Sequence, residues 1–275
     1  MKNQLLHVFR NTPFGRETLL NSVYFCKTTK TPISVYIPEF PQFLMYFEKE
    51  IVTVDLDRAF LRDPDTAREH AEEIIRSQGL KPNFFTPKRF TASTLPDIPV
   101  DFKYMTCPRT ISNLSTKVSL GYIGPRVRNI IKNASFPVLI PTQVYKEWKS
   151  ITVFFGGSAN AVNAFKEGLK ISQISGLDLT LFTEIEDPYS EEDYRNILRQ
   201  NMLYDEIEKG NVNWQFFDKG KLLEDLYSVP HDALIVVGAY GHGLIKELFF
   251  GSTLETIQSV LPNSMVIVGP NYLES

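Results

Sequence analysis

The hydrophobic positions of this chain fall into short apolar runs and longer stretches with a helical period. Leu5-Leu6-His7-Val8-Phe9, Ile33-Ser34-Val35-Tyr36-Ile37 and Phe136-Pro137-Val138-Leu139-Ile140 are runs of the first kind and read as strands. Between the first two, Gly15, Thr18, Leu19, Ser22, Val23 and Cys26 recur at i, i+3, i+4, i+7, i+8 and i+11. Small and apolar residues at that spacing predict a helix packed closely on a sheet. Asp63-Pro64 opens a second helix with a capping residue and a first-turn proline, and Gly79 closes it. Ser190-Glu191-Glu192-Asp193 resembles a capping box before a helix ending near Gly210. Short strands are expected at Asn83-Phe84-Phe85 and at Trp214-Gln215-Phe216-Phe217.

The pattern then repeats. Ile151-Thr152-Val153-Phe154-Phe155 matches the first strand at an offset of 146. At the same offset Ala161, Ala164, Phe165, Gly168, Leu169 and Ser172 reproduce the helical stripe, and Leu179-Thr180-Leu181-Phe182-Thr183 the second strand. The C-terminal parts of the halves align at an offset of 127, with Gly124 against Gly251 and Val127, Ile130 and Ala134 against Leu254, Ile257 and Leu261. The offset drops from 146 to 127, so the first half carries about 19 more residues between these anchors. Most of them fall in Pro38–Asp63, a segment holding Phe40, Phe43, Tyr46 and Phe47 and the alternating run Ile51-Val52-Thr53-Val54-Asp55. It reads as an added strand or a flap, and first of all as an aromatic cover over the sheet. Each half reads β-α-β-α-β-α-β-α-β. The fold class is α/β, with two repeated five-stranded parallel sheets sandwiched between helices, in residues 1–146 and 147–275.

Composition narrows the functional classes. The chain has 275 residues, enough for two small domains, with 43% hydrophobic and 22% charged residues, as in an ordinary globular protein. A net charge of −3 gives no electrostatic reason to expect nucleic acid. No apolar run approaches a membrane span, and the N-terminal residues lack the apolar core of a signal peptide. Two cysteines, Cys26 and Cys107, make neither a disulfide framework nor a metal cluster. A cytoplasmic location is the simplest expectation.

Candidate chemistry concentrates in Val236–Val268. The apolar strand Ala233–Val237 runs into Gly238-Ala239-Tyr240-Gly241-His242, and Gly251-Ser252-Thr253 follows with nine residues between Gly241 and Gly251. Glycines at the carboxyl end of a strand, and Gly-Ser at a helix start, suit a phosphate: backbone N–H groups point at the anion and no Cβ blocks its approach. The same glycines also suit tight turns and close helix–strand packing alone.

This G-x2-G-x9-G-[ST] spacing after an apolar strand resembles the nucleotide-binding signature of the universal stress proteins, at Gly238, Gly241, Gly251 and Ser252. The resemblance covers Ile151–Val268 and, more faintly, the first half. It implies a Rossmann-like five-stranded sheet in each half and ATP, or ATP with Mg2+, in the second. Gly238, Gly241, Gly251, Ser252 and the Thr253 backbone would cradle phosphates and ribose. Where the family often has an Asp after its first strand this chain has Gly156, and where a basic residue often follows the second glycine it has His242. At the 127 offset Gly238 and Gly241 meet Ile111 and Leu114, and Gly124 is followed by Pro125, which has no N–H to offer a phosphate. The first half therefore reads as a domain that kept the fold and lost the site.

The resemblance further implies a regulatory nucleotide-binding protein of the stress response, acting on a protein partner. The alternatives are a scaffold of the same fold without nucleotide, and a slow adenine-nucleotide hydrolase. No nucleophile–base pair, HExxH or paired carboxylates are evident, so no catalytic residue is assigned and fast hydrolysis is not expected. Ser158 reads as a helix cap, Cys26 as an inert core residue, and Trp148 and Trp214 as packing residues. Family members commonly dimerise through their last strands, and both halves end alike, at Phe136–Pro141 and Ser264–Pro270. Pairing those edges would make an intrachain pseudo-dimer, with a homodimer through another face left open.

Overall fold

Alternating strands and helices build two compact units, Met1–Glu147 and Trp148–Glu274. The structure is a computed structural model that describes residues 2–56, 61, 63–89, 94–109, 123–217, 220, 222–240 and 261–274. The first unit runs β1 (Lys2–Val8), α1 (Pro13–Thr28), β2 (Ile33–Tyr36), β3 (Gln42–Tyr46), β4 (Ile51–Asp55), α2 (Pro64–Ser77), β5 (Lys88–Arg89), β6 (Pro96–Ile98), β7 (Phe102–Thr106), α3 (Pro125–Asn133) and β8 (Val138–Ile140). The second runs β9 (Ser150–Phe154), α4 (Ala159–Ser175), β10 (Leu179–Glu184), α5 (Glu191–Gln200), α6 (Asp205–Glu208), β11 (Val212–Phe217), α7 (Leu222–Leu226), β12 (Ala233–Gly238) and β13 (Met265–Val268).

The second unit is a five-stranded parallel sheet in the order β11-β10-β9-β12-β13. Every residue of β12 and β13 is buried, as strands covered on both faces require. α4 presents Ala161, Ala164, Phe165, Gly168 and Leu169 inward, the predicted stripe. Gly168 allows the close approach, because a Cβ there would lie 2.5 Å from Val153 Cγ2. Gly176 ends the helix with φ at 73°. The pattern predicted one helix from Ser190 to Gly210, but the structure divides it. Met202 turns left-handed at φ 57°, and α6 follows as a separate turn. The N–H and Oγ–H of Ser190 both donate to the Asp193 carboxylate, at 2.8 and 2.7 Å, which fixes the start of α5.

In the first unit β2, β1, β7 and β8 form a parallel sheet in that order. Thr12 caps α1 by accepting the Gly15 N–H at 2.9 Å, and the stripe Gly15, Thr18, Leu19, Ser22, Val23 and Cys26 is buried as predicted. Asp63 caps α2 through the Thr66 N–H, and Gly79 follows its end at φ 78°. The fifth sheet position, expected as the strand Asn83–Phe85, is a single parallel bridge from Val35 to Phe84. The Val35 N–H donates to Asn83 O at 2.8 Å and the Phe85 N–H to Val35 O at 2.7 Å. Pro82 and Pro87 stand on either side, and a proline supplies no N–H to lengthen a ladder.

The extra segment of the first half forms half of a second sheet, in the order β4-β3-β6-β5. β3 and β4 are an antiparallel hairpin that buries Phe43, Met45, Val52 and Val54 on one face. Phe43 meets Tyr36 edge-on at 5.8 Å. Glu50, just before β4, accepts Nδ2–H bonds from Asn129 at 2.9 Å and Asn133 at 3.0 Å, both on α3. Arg126 and Asp55 form an ion pair. β6 joins β3 in parallel, with Leu44 opposite Asp97 and Met45 opposite Ile98.

Asp97 is the weak point of this second sheet. It is 6% exposed, and neither carboxylate oxygen has a hydrogen-bond partner among the described residues. Burial raises its pKa above the ordinary carboxylate value. A raised folded-state pKa means that ionisation opposes folding. The penalty is absent below about pH 4, where the carboxyl is protonated in both states, and grows as pH rises above that. Asp97→Asn is expected to stabilise the protein by about 1 kcal/mol at neutral pH and by less at pH 3. Urea denaturation at the two pH values measures this, and an equal effect at both would contradict it.

Candidate nucleotide crevice

The second unit has one point where its connections diverge. β9 leads through α4 to β10 on one side, while β12 pairs with β9 on the other. The carboxyl ends of β9 and β12 therefore border the kind of crevice in which open α/β sheets hold ligands. Their ladder ends at Val237 opposite Phe154. One lip is then Phe155-Gly156-Gly157-Ser158 and the other Gly238-Ala239-Tyr240.

On the first lip Gly157 takes φ 74°, which glycine adopts without strain. Ser158 caps α4, its Oγ accepting the Ala161 N–H at 3.1 Å. The first turn of this 17-residue helix holds no acidic residue, so nothing there offsets the positive end of its dipole. Beneath the lip, Thr183 Oγ1 donates to the Phe155 carbonyl at 3.0 Å, and Trp214 Nε1 donates to Thr183 Oγ1 at 3.0 Å. The indole also stacks on Phe216 at 4.6 Å and meets Phe155 edge-on at 6.0 Å.

On the second lip Gly238 is needed for packing. A Cβ there would lie 2.4 Å from both Asn160 C and O, and 2.7 Å from Ala161 N. The buried Asn160 Nδ2 donates to Ala239 O at 2.6 Å, and the Ala239 N–H donates to Val268 O at 2.8 Å. The first turn of α4 and the end of β12 are thereby locked together. Tyr240 follows in the left-handed region at φ 57°.

Of the residues singled out from the sequence, Gly156 and Gly238 stand on opposite lips of the crevice. Gly241, His242, Gly251, Ser252 and Thr253 lie outside the described residues. Asn160 and Thr183, which fix the two lips, carry no motif that marks them in a single sequence. Trp214, read as a packing residue, also serves as a hydrogen-bond donor. Among the described residues, no group of three His, Cys, Asp or Glu side chains is placed to hold a metal ion.

The corresponding crevice of the first unit lies between β1 and β7 and is built differently. The Cys107 N–H donates to Leu139 O at 2.9 Å, as Ala239 does to Val268. This ladder places Thr106 in the position of Gly238. The 127 offset therefore slips by five residues at this strand, and Gly238 does not meet Ile111; the match of Gly241 with Leu114 lies outside the described residues. Arg10, buried, takes the place of Gly156 at the 146 offset. Burial also lowers the Arg109 pKa. Among the described residues an arginine, Arg10, thus stands where the second unit has Gly156.

Neither cysteine is placed for nucleophilic work. Cys26 and Cys107 are buried and free, and burial pushes both thiols up, Cys107 to about 12. His7 and Ser22 are in contact, with Nδ1···Oγ at 2.9 Å, and Ser22 Oγ lies 2.8 Å from Thr106 Oγ1. His7 is 2% exposed, and burial with the nearby Arg10 lowers its pKa to about 3. The pair is a sealed core contact that no substrate reaches.

Sequence comparison finds no matching family model and no matching curated protein. Comparison of structures does find matches. A universal stress protein from Archaeoglobus fulgidus DSM 4304 superposes with a TM-score of 0.60 at 14% identity, covering 98% of this chain and 99% of that one. A functionally unknown protein from Pseudomonas aeruginosa PAO1 gives 0.58 at 11% identity, covering 98% and 93%. The chain has the universal stress protein fold. The likeness extends over both units and is a likeness of fold.

Within the universal stress protein fold of the second unit, the contact of Gly238 with α4 makes a quantitative prediction. Gly238→Ala must displace backbone atoms and is expected to cost about 2–3 kcal/mol. Asn160→Ala leaves the Ala239 carbonyl without its donor and should cost about 1–2 kcal/mol. The two residues serve one contact, so the double variant should lose less than the sum. Additive losses in denaturant titrations would separate them.

Proposed function

We propose that the second unit binds an adenine nucleotide such as ATP in the crevice between β9 and β12, and that the protein acts as a nucleotide-responsive regulator in a cytoplasmic stress response. The observation that carries this reading is the juxtaposition of Gly156-Gly157 with Gly238 at the switch point of the sheet. Gly251-Ser252 continues the same signature in the sequence. The surroundings fit an anion: the described lips carry no carboxylate, and the adjoining helix begins without an acidic residue. Gly156 leaves the nucleoside without the carboxylate that family members often provide, so its recognition would rest on backbone groups. Mg2+ would enter with the phosphates rather than on a protein cluster. No described residue is placed as a nucleophile or general base, which favours binding and release over turnover. Among the described residues no helix is long and apolar enough to cross a membrane.

One observation favours a second reading, a scaffold without nucleotide. Gly238 has a complete explanation in the packing of α4, so the first glycine of the signature is required with or without a ligand. Two measurements separate the readings. Mass spectrometry of the small molecules released on denaturing freshly purified protein should find an adenine nucleotide. Isothermal titration should give about one site per chain, from the single signature. Gly251→Asp should abolish that binding and leave the fold intact, because its carboxylate would repel the phosphates at the helix start that the sequence predicts there. Unchanged affinity in the folded variant, or no ligand and no titration, would leave the scaffold reading.

A further inference from the structure

A separate cavity of about 100 Å³ lies in the first unit, beside the carboxyl end of β2. Its apolar walls include Tyr36, Phe40, Phe84, Phe85, Pro87 and Pro96. Three parts of the fold meet there. β2 ends on Tyr36, the bridge to Val35 holds Phe84 and Phe85 alongside, and Pro96 opens β6 of the second sheet. The cavity exists because the second sheet approaches the edge of the parallel sheet without pairing with it.

The aromatic walls are braced from behind. Tyr36 meets Phe85 edge-on at 6.4 Å and Phe43 at 5.8 Å, and Phe85 meets Phe102 at 6.0 Å. Phe40, Phe84 and Phe85 remain half-buried. A ring entering the cavity would find walls already in place, so little ordering entropy is lost on binding.

Two charged side chains also line the cavity, Arg68 from α2 and Glu39 from the segment after β2. The Arg68 guanidinium lies 4.2 Å from the centroid of the Phe84 ring. Neither Arg68 nor Glu39 has an ion-pair partner among the described residues, and both are exposed. An unpaired cation and an unpaired carboxylate beside an aromatic cavity complement a ligand with an aromatic body and both charges. At about 100 Å³ the cavity is smaller than the roughly 150 Å³ dry cavity that encloses benzene, but it is open on one side, so a single ring enters with one edge left at the mouth. It is too small for a purine with its ribose and phosphates, and Glu39 would repel a polyanion.

We propose that this cavity binds a small aromatic zwitterion, an α-amino acid with a single ring. The ring lies among Phe40, Phe84 and Phe85, Arg68 takes the carboxylate in a charge-assisted pair, and Glu39 takes the ammonium. Titration of the full-length protein with L-phenylalanine, 3-phenylpropionate and phenethylamine tests the assignment. Phenylalanine is expected to bind at one site, and each of the others, lacking one charge, about tenfold more weakly. Arg68→Gln should weaken phenylalanine and phenylpropionate but not phenethylamine. Glu39→Gln should weaken phenylalanine and phenethylamine but not phenylpropionate. Both substitutions are at exposed positions, so the fold survives them. No saturable binding of phenylalanine at millimolar concentration, equal affinity for all three compounds, or displacement of phenylalanine by AMP would overturn the proposal.

Discussion

The second unit depends on how near the first turn of α4 comes to the end of β12. Helix and strand meet at backbone distance because residue 238 has no Cβ, and the Asn160 amide then ties the helix to the Ala239 carbonyl. With that contact made, the lips of the crevice are held by a helix cap, a side-chain hydrogen bond to the Phe155 carbonyl and a turn. Ser158 must cap α4 where the chain leaves β9, and Tyr240 must turn left-handed where it leaves β12. A position that reads as ligand chemistry in the sequence thus answers first to packing. Any ligand at this place uses an opening that the fold needed for its own reasons.

The first unit shows what happens when that requirement is relaxed. Thr106 stands where Gly238 would, and its hydroxyl joins Ser22 and His7 in a buried polar cluster between sheet and helix. Arg10 replaces Gly156 beside the crevice, and the chain invests instead in a second sheet held to α3 by Glu50 and Asp55. Two copies of one architecture have been spent differently.

Much of the architecture was legible in the sequence, because burial on both faces of a parallel sheet leaves continuous apolar runs and helix packing leaves a stripe. The α1 and α4 stripes and the caps at Asp63 and Ser190 all appear where the pattern placed them, and of the strand, flap or cover that Pro38–Asp63 left open the structure takes a strand at Ile51–Asp55. What stayed hidden depended on tertiary context. Met202 breaks a helix without glycine or proline, and the Asn83–Phe85 run shrinks to one bridge between prolines. The second sheet draws on Pro96–Ile98, far along the chain from the aromatic segment that it completes. The slip of five residues at β7 follows from ladder hydrogen bonds that no repeat alignment sees. At the crevice, Gly156 and Gly238 were readable as glycines in a pattern. Asn160 and Thr183 were not, since a single asparagine or threonine reveals its partner only when the chain is folded.

The chain of hydrogen bonds from Phe155 through Thr183 to Trp214 has an optical consequence. Indole emission responds to the hydrogen bond at its nitrogen and to the rings around it. The chain has two tryptophans, and Trp148 is 4% exposed, whereas Trp214 is half-buried and joined by two hydrogen bonds to the carbonyl that precedes Gly156. The second unit therefore carries its own fluorophore, wired to the floor of the crevice, with no label to attach.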